Sequence, residues 1–277
     1  MTDTSRHSGN ASTDIEMASE RAVRHAAIDA DAEAAVAFAH SYDSNQHIAE
    51  HEHARAQLLH LSNGVMSVTT ASGRWMMPRD HALWIPSGVR HAVDTVGKVD
   101  MYSVYVRPDA IPGLPDQLQV SGITQLMRSL ITEAVRLRGE PESARAKHIL
   151  GAMLHEIPQL PKRPLGLAFP ANQKLAQLCR EFVAAPSAHL EIENWADAAG
   201  MSRRSFTRQF RRETGLSLST WRQQACLMTA LPRLSAGEPV TAVALDLGYD
   251  SVPAFTTMFC RMMGTPPKTY LRNQTPQ

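Results

Sequence analysis

Two sets of residues in this chain have types and spacings that could do chemistry. The first is cationic. Arg203, Arg204, Thr207, Arg208 and Arg211 recur within three turns of a helical pattern, and Arg204, Thr207, Arg208 and Arg211 fall on one face, at spacings of three and four. Guanidinium groups in such a row can pair with guanine edges while their neighbours hold phosphates. The second set is imidazole. His51-x-His53-x3-Gln57 is followed downstream by Pro86-x-Gly88-x2-His91. In a strand, His51 and His53 point to the same side, and if two strand pairs meet across a barrel, His51, His53, Gln57 and His91 converge inside it. Three neutral imidazoles and an amide oxygen are a reasonable shell for a divalent transition metal. They are equally reasonable as the hydrogen-bonding lining of a pocket for an organic effector. Trp75, Trp84, Tyr102 and Tyr105 could wall such a pocket or simply fill core, and His47, His60 and His81 take no assignment.

The cationic set needs a frame, and a repeated pattern supplies one. Ala196-x3-Gly200 precedes Phe206-x3-Phe210-x4-Gly215, and Ala244-x3-Gly248 precedes Phe255-x3-Phe259-x4-Gly264. Each copy reads as helix, tight turn, helix: a small residue where two helices cross, a glycine that takes the turn at positive φ, and two Phe on one buried face. One copy alone is an ordinary helical hairpin; two in register make a doubled helix-turn-helix. Ser202 is the expected N-cap of the helix bearing the arginines, and Ser217 that of a long helix reaching about Ser235, with Pro232 kinking or shortening its end. Eighteen residues at about 1.5 Å each span about 27 Å, close to the ~34 Å between successive major grooves on one face of B-DNA. In the second copy Thr256 and Thr257 face outward and Arg261 is the only cation of its helix. That copy is expected to position more than it reads.

The imidazole set needs strands. From about Asn45 to Arg107, short apolar runs (57–61, 65–70, 75–77, 82–85 and 101–106) alternate with turn residues at 62–64, 71–73, 86–88 and 96–98. Many short strands with regular turns indicate a small antiparallel barrel or sandwich. A breaker-rich link, 108–120, leads to two amphipathic helical patterns through Ile123–Leu137 and Ile149–Ile157. Such helices pack on their own barrel or on a second subunit, and dimerisation by at least one of them is expected. Pro158, Pro161 and Pro164 mark an interdomain linker at 159–170. Residues 1–44 read as a polar, disordered or weakly helical lead.

Charge follows the same division. Residues 166–277 carry twelve Lys/Arg against eight acids, whereas the first 165 residues are net −3 and the whole chain is +1. A polyanionic partner suits the C-terminal part only. Cys179, Cys226 and Cys260 form neither a disulfide framework nor a metal spacing, and read as reduced thiols of a cytoplasmic protein. No apolar run is long enough for a signal peptide core or a membrane span, so no membrane partner is expected.

At this point the residues reach known families. The His51, His53, Gln57 and His91 spacing resembles the two motifs of the cupin barrel, with Gln57 where Glu is usual, Asp80 where the second motif begins with Gly, and Thr95 where it ends with Asn. Residues 171–272 resemble the DNA-binding domain of the AraC-type transcription regulators, through Ala196, Gly200, Ser205-Phe206, Phe210-Arg211, Thr214-Gly215, Ala244, Gly248-Tyr249, Phe255, Phe259, Gly264, Pro266-Pro267 and Tyr270. The chain departs from that pattern at Cys226 and Cys260, where cations are common.

The resemblance implies an α+β protein: a cupin-like sensor barrel at 45–108, a helical dimerisation region at 109–158, and a double helix-turn-helix domain at 171–277. It implies a homodimeric regulator of promoter DNA that answers to a small molecule and touches RNA polymerase if it activates. Arg204, Thr207, Arg208, Thr256 and Thr257 would read bases. The Gln57 variant and the 84–91 stretch are similar to a subgroup that often controls transporter genes. A metal-dependent cupin dioxygenase or isomerase fused to a helical module is the alternative, and the absent Glu speaks against it.

Overall fold

A computed structural model describes residues 23, 26–42, 46–140, 143–163 and 165–272 of the chain. Eight strands form one sheet: β1 (Ala35–Tyr42), β2 (His47–His51), β3 (Ala56–Thr70), β4 (Gly73–Pro78), β5 (His81–Ile85), β6 (His91–Val106), β7 (Gln119–Gly122) and β8 (Gly166–Ala168). Two of them are long and serve twice. The first part of β3 pairs with β5 and its last part with β4. The first part of β6 pairs with β2 and its last part with β1. The sheet therefore folds into two halves, β1-β6-β3-β5-β7 and β2-β6-β3-β4-β8, which share β3 and β6.

The place where the two strands bend corrects the sequence reading. Residues 62–64 and 96–98 are not turns. They form facing irregularities in the β3–β6 ladder, where the register slips between Leu61 and Val65. A bulge of this kind increases twist and bends a strand without ending it. Gly64 sits there at φ +81°, and a Cβ on it would meet the Lys98 carbonyl oxygen at 2.5 Å.

Two stretches also differ from expectation. Ala35–Tyr42, read as part of a disordered or weakly helical lead, is paired with β6 along its whole length, whereas residues 26–29 of that lead are helical. Residues 1–22 lie outside the described residues. The expected 159–170 linker is woven into the barrel: Arg163 N–H donates to Val120 O, Gly122 N–H to Pro161 O, and β8 pairs with β4. Local sequence shows the prolines of this stretch but not the distant strand edges that its remaining amides can satisfy.

The helices Gln125–Arg136 and Ala144–Glu156 cover one face of the sheet. Met127, Leu130, Ile131, Met153 and Leu154 are buried against Leu58, Ala82, Trp84, Val104 and Val106. These buried stripes pack on this chain's own barrel, while Leu126 on the same helix pair stays exposed. The opposite face of β3 and β6 turns Leu59, Leu61, Val65 and Met101 into the barrel interior.

The C-terminal part is helical: Gln173–Ala184, Ile192–Ala198, Arg203–Thr214, Leu218–Ser235, Val240–Asp246, Val252–Met263 and Pro267–Arg272. Helix Leu218–Ser235 runs through Pro232 to its expected end. Its Trp221, fully buried, joins the barrel strand β8 to the helical core.

Candidate nucleic-acid interface and ligand pocket

Helix Arg203–Thr214 forms for legible reasons. Ser202 caps it, its hydroxyl accepting from the Ser205 amide, and Gly215 ends it in the left-handed conformation. Phe206 and Phe210 are buried and stacked at 5.6 Å, with Trp195 edge-on to both at 6.3 Å and Trp221 edge-on to Phe210. The preceding helix meets it through a turn at Gly200, φ +70°, matched in the second unit by Gly248 at φ +74°.

With one face committed to this core, the arginines must point outward, but they are not equivalent. Arg203 donates to Glu193 on the preceding helix at 2.7 Å, and Arg212 lies 3.4 Å from Glu213. Arg204, Arg208 and Arg211 have no carboxylate partner among the described residues. They stand one turn apart, at i, i+4 and i+7. Thr207 lies among them, its hydroxyl donating to Arg203 O at 2.8 Å and keeping its acceptor lone pairs outward. Together with Arg203 and Arg212 these four side chains make one continuous solvent-facing surface on the helix. An ion pair at an exposed site is weak, so Arg203 can exchange Glu193 for a phosphate. The three unpaired guanidinium groups need break nothing.

The second unit is built alike and charged differently. Ser251 caps helix Val252–Met263, with Pro253 in the first turn. Thr257 is exposed, its hydroxyl donating to Pro253 O at 2.9 Å, and Thr256 is half-buried. Arg261 donates to the Gln223 side chain and so is tied back to the connecting helix. At that helix's far end, Arg233 donates to Glu238 and Asp246, each at 2.6 Å. These carboxylates hold its guanidinium protonated well above the usual range and join the long helix to the first helix of the second unit. Sequence reading missed Arg233; an Arg five residues before Glu238 at a helix end is its only local signal.

In the barrel, the four side chains anticipated to converge do so. His51 and His91 are register partners on β2 and β6, and their rings lie 4.3 Å apart. His53 stands 5.3 Å from His91. One of its ring nitrogens pairs with the Arg55 carbonyl and the other with Gln57 Oε1 at 3.0 Å, while the Gln57 amide donates to Ser103 Oγ at 3.2 Å. Tyr105 packs edge-on against His53 at 5.3 Å. Ser103 and Tyr105 were not singled out as polar partners by sequence, because only the β3–β6 register sets them opposite Leu59 and Gln57. The free space lined by His51, Gln57, His91 and Tyr105 is about 30 Å³, enough for about one water.

This arrangement does not fit a metal shell. Among the described residues no three His, Cys, Asp or Glu side chains are placed to hold an ion. His53 has both nitrogens turned to protein oxygens, and Gln57, an uncharged donor, is engaged at both ends. Elsewhere, burial pushes His60 down to about 4, so it is neutral at physiological pH; it pairs with the His81 carbonyl and stacks on Tyr102 at 6.0 Å.

Comparison with known proteins decides between regulator and enzyme. Residues 33–181 match the AraC-like ligand binding domain, over half of the chain, and residues 195–273 match a helix-turn-helix domain of the HTH_18 type. The chain is 32% identical over 245 residues to the HTH-type transcriptional regulator NimR of Escherichia coli, covering 88% of this chain and 89% of NimR. The chain belongs to the AraC family of transcription regulators. A second relative of this AraC-family protein is the regulator RipA of Corynebacterium glutamicum, 30% identical over 118 residues, which are 42% of this chain and 34% of RipA. ToxT of Vibrio cholerae O395 aligns at a TM-score of 0.38 and 10% identity over 88% of this chain and 99% of ToxT, a likeness too low to add to the assignment.

For this AraC-family regulator the departure at Cys226 changes meaning. Cys226 is fully buried beside Tyr249, and burial pushes its thiol up to about 11. The departure from the family pattern at this position thus falls in the helical core. Among the described residues no helix is long and apolar enough to cross a membrane.

Proposed function

We propose that this AraC-family regulator binds double-stranded promoter DNA with helix Arg203–Thr214 in one major groove and helix Val252–Met263 in the next, as a homodimer in the cytoplasm. The observation that carries this reading is the row Arg204, Arg208 and Arg211, exposed and without carboxylate partners among the described residues. Unpaired guanidinium groups on a rigid helix lose little on reaching guanine edges and phosphates, which is the economical way to read a duplex. Arg204, Thr207 and Arg208 read bases; Arg203 and Arg211 hold phosphates. Thr256 and Thr257 contact the second groove, where Arg261 orders the connecting helix as much as it meets DNA.

The pocket of His51, His53, Gln57 and His91 takes a small organic effector through hydrogen bonds. Its enclosed space is small, so binding must move side chains, and that movement is the signal. Contact with RNA polymerase on activation and control of a transporter gene are in keeping with this family. The test is fluorescence anisotropy of the full chain on fragments of its own promoter, with Arg208→Ala beside the wild type. Loss of affinity for the cognate fragment with retained fold supports the reading; unchanged affinity rejects the placement of this helix in the groove.

A further inference from the structure

The barrel interior is nearly filled, but a larger space lies outside it. A cavity of about 420 Å³ separates the free side of strand β1 from the helix pair. It is an order of magnitude larger than the space beside the histidines, and it falls within the size range of small-molecule sites. Five alanines create it: Ala27, Ala35, Ala37, Ala134 and Ala146, where larger side chains would close it. Ile28, Phe38 and Leu150 complete an apolar wall.

The polar groups around it are few and unequal. Asp31 accepts from the Glu33 amide, the backbone carbonyls of Asp31 and Glu33 accept from the buried Arg55 guanidinium, and the Arg55 charge offsets that of Asp31. Arg107 reaches the same segment through the Ala32 carbonyl. Arg138 is different. Among the described residues it is the only cation lining the cavity and has no carboxylate partner; its guanidinium carbon lies over Phe38, 3.9 Å from the ring centre. An exposed guanidinium held over an aromatic face at the edge of an apolar cavity presents its N–H groups to a planar anion.

We infer that this cavity is a second ligand site, distinct from the histidine pocket, and that it takes an amphipathic organic carboxylate. The acid group pairs with Arg138 and the hydrocarbon body lies among the alanines, Ile28 and Leu150. Occupancy would be felt in the barrel. Ile28 and Phe38 pack on Tyr105, which touches His53, and Arg55 ties residues 31–33 to the carbonyl that His53 contacts.

The test is isothermal titration of the full chain with octanoate and with octan-1-ol, a neutral probe of the same length. Octanoate should bind saturably at one site. Arg138→Gln, a change at an exposed position, should weaken octanoate about tenfold and leave octanol unaffected. Ala146→Leu, which fills the cavity, should weaken both. No saturable octanoate binding, or equal octanoate affinity in Arg138→Gln and the wild type, overturns the inference. Binding lost in His51→Ala but kept in Arg138→Gln would place the acid in the barrel and also overturns it.

Discussion

The indole N–H of Trp221 donates to the carbonyl of Ala168 across 2.8 Å. Ala168 ends strand β8 of the barrel, and Trp221 stands in the helix that joins the two helix-turn-helix units. The same ring packs on Trp195 and Phe210. The barrel's sheet and the core behind the arginine-bearing helix therefore meet at this buried side chain. Any shift of β8 has a short route to the core behind Arg204 and Arg208. Trp221→Phe keeps an aromatic ring and removes the donor, so the half-buried Ala168 carbonyl loses this partner. The expected cost is about 1–3 kcal/mol, seen as a lower midpoint in urea denaturation. An unchanged midpoint would mean that water satisfies Ala168 equally well.

The arginine row allows a graded prediction. Arg208→Ala should cost about 1–3 kcal/mol on the cognate site and relax sequence preference. Arg211→Ala should weaken cognate and random DNA alike, lowering the slope of log K against log salt by about 1. Arg203→Ala, whose side chain is shared with Glu193, should cost less than Arg208→Ala. Anisotropy titrations at several salt concentrations separate the three. Equal losses for Arg203 and Arg208 would show that the Glu193 pair does not matter.

His60 predicts an acid sensitivity. The unfolded chain takes up this proton near the ordinary value of 6.5, and the folded chain only near about 4, because burial disfavours the imidazolium. Acid therefore favours unfolding: this part of the stability is complete above pH 6.5 and is lost as pH falls toward 4. Full loss corresponds to about 3 kcal/mol. His81 is lowered for the same reason and adds in the same direction. His60→Gln should flatten the dependence of the denaturation midpoint on pH across this window, and a parallel curve would show that other groups govern it.

The histidine pocket predicts little appetite for metal. Dialysis of the full chain against zinc or nickel, followed by elemental analysis, should leave less than one equivalent. Gln57→Glu puts an anionic oxygen 3.0 Å from the His53 ring and should raise retention. One full equivalent in the wild type would mean that the imidazoles reorient around an ion.

Sequence alone settled whatever rests on local periodicity. Ala196 and Gly200, the Phe206–Phe210 pair and their copies at 244–259 fix two helical hairpins, because helix faces follow from spacing within a few residues. The outward placement of Arg204, Thr207 and Arg208 comes with them. The meeting of His51, His53, Gln57 and His91 was legible because strand alternation and one assumption, that the strands face each other, suffice. Tertiary structure decided the rest. It drew Ala35–Tyr42 and Gly166–Ala168 into the sheet, turned two supposed turns into bulges, and packed the buried stripes of the helix pair on the chain's own barrel. It also chose which arginines are paired, since Glu193 and Gln223 reach Arg203 and Arg261 only after the helices cross. The cavity beside Arg138 is likewise invisible in sequence: alanines mark empty space only where folding sets five of them around the same gap.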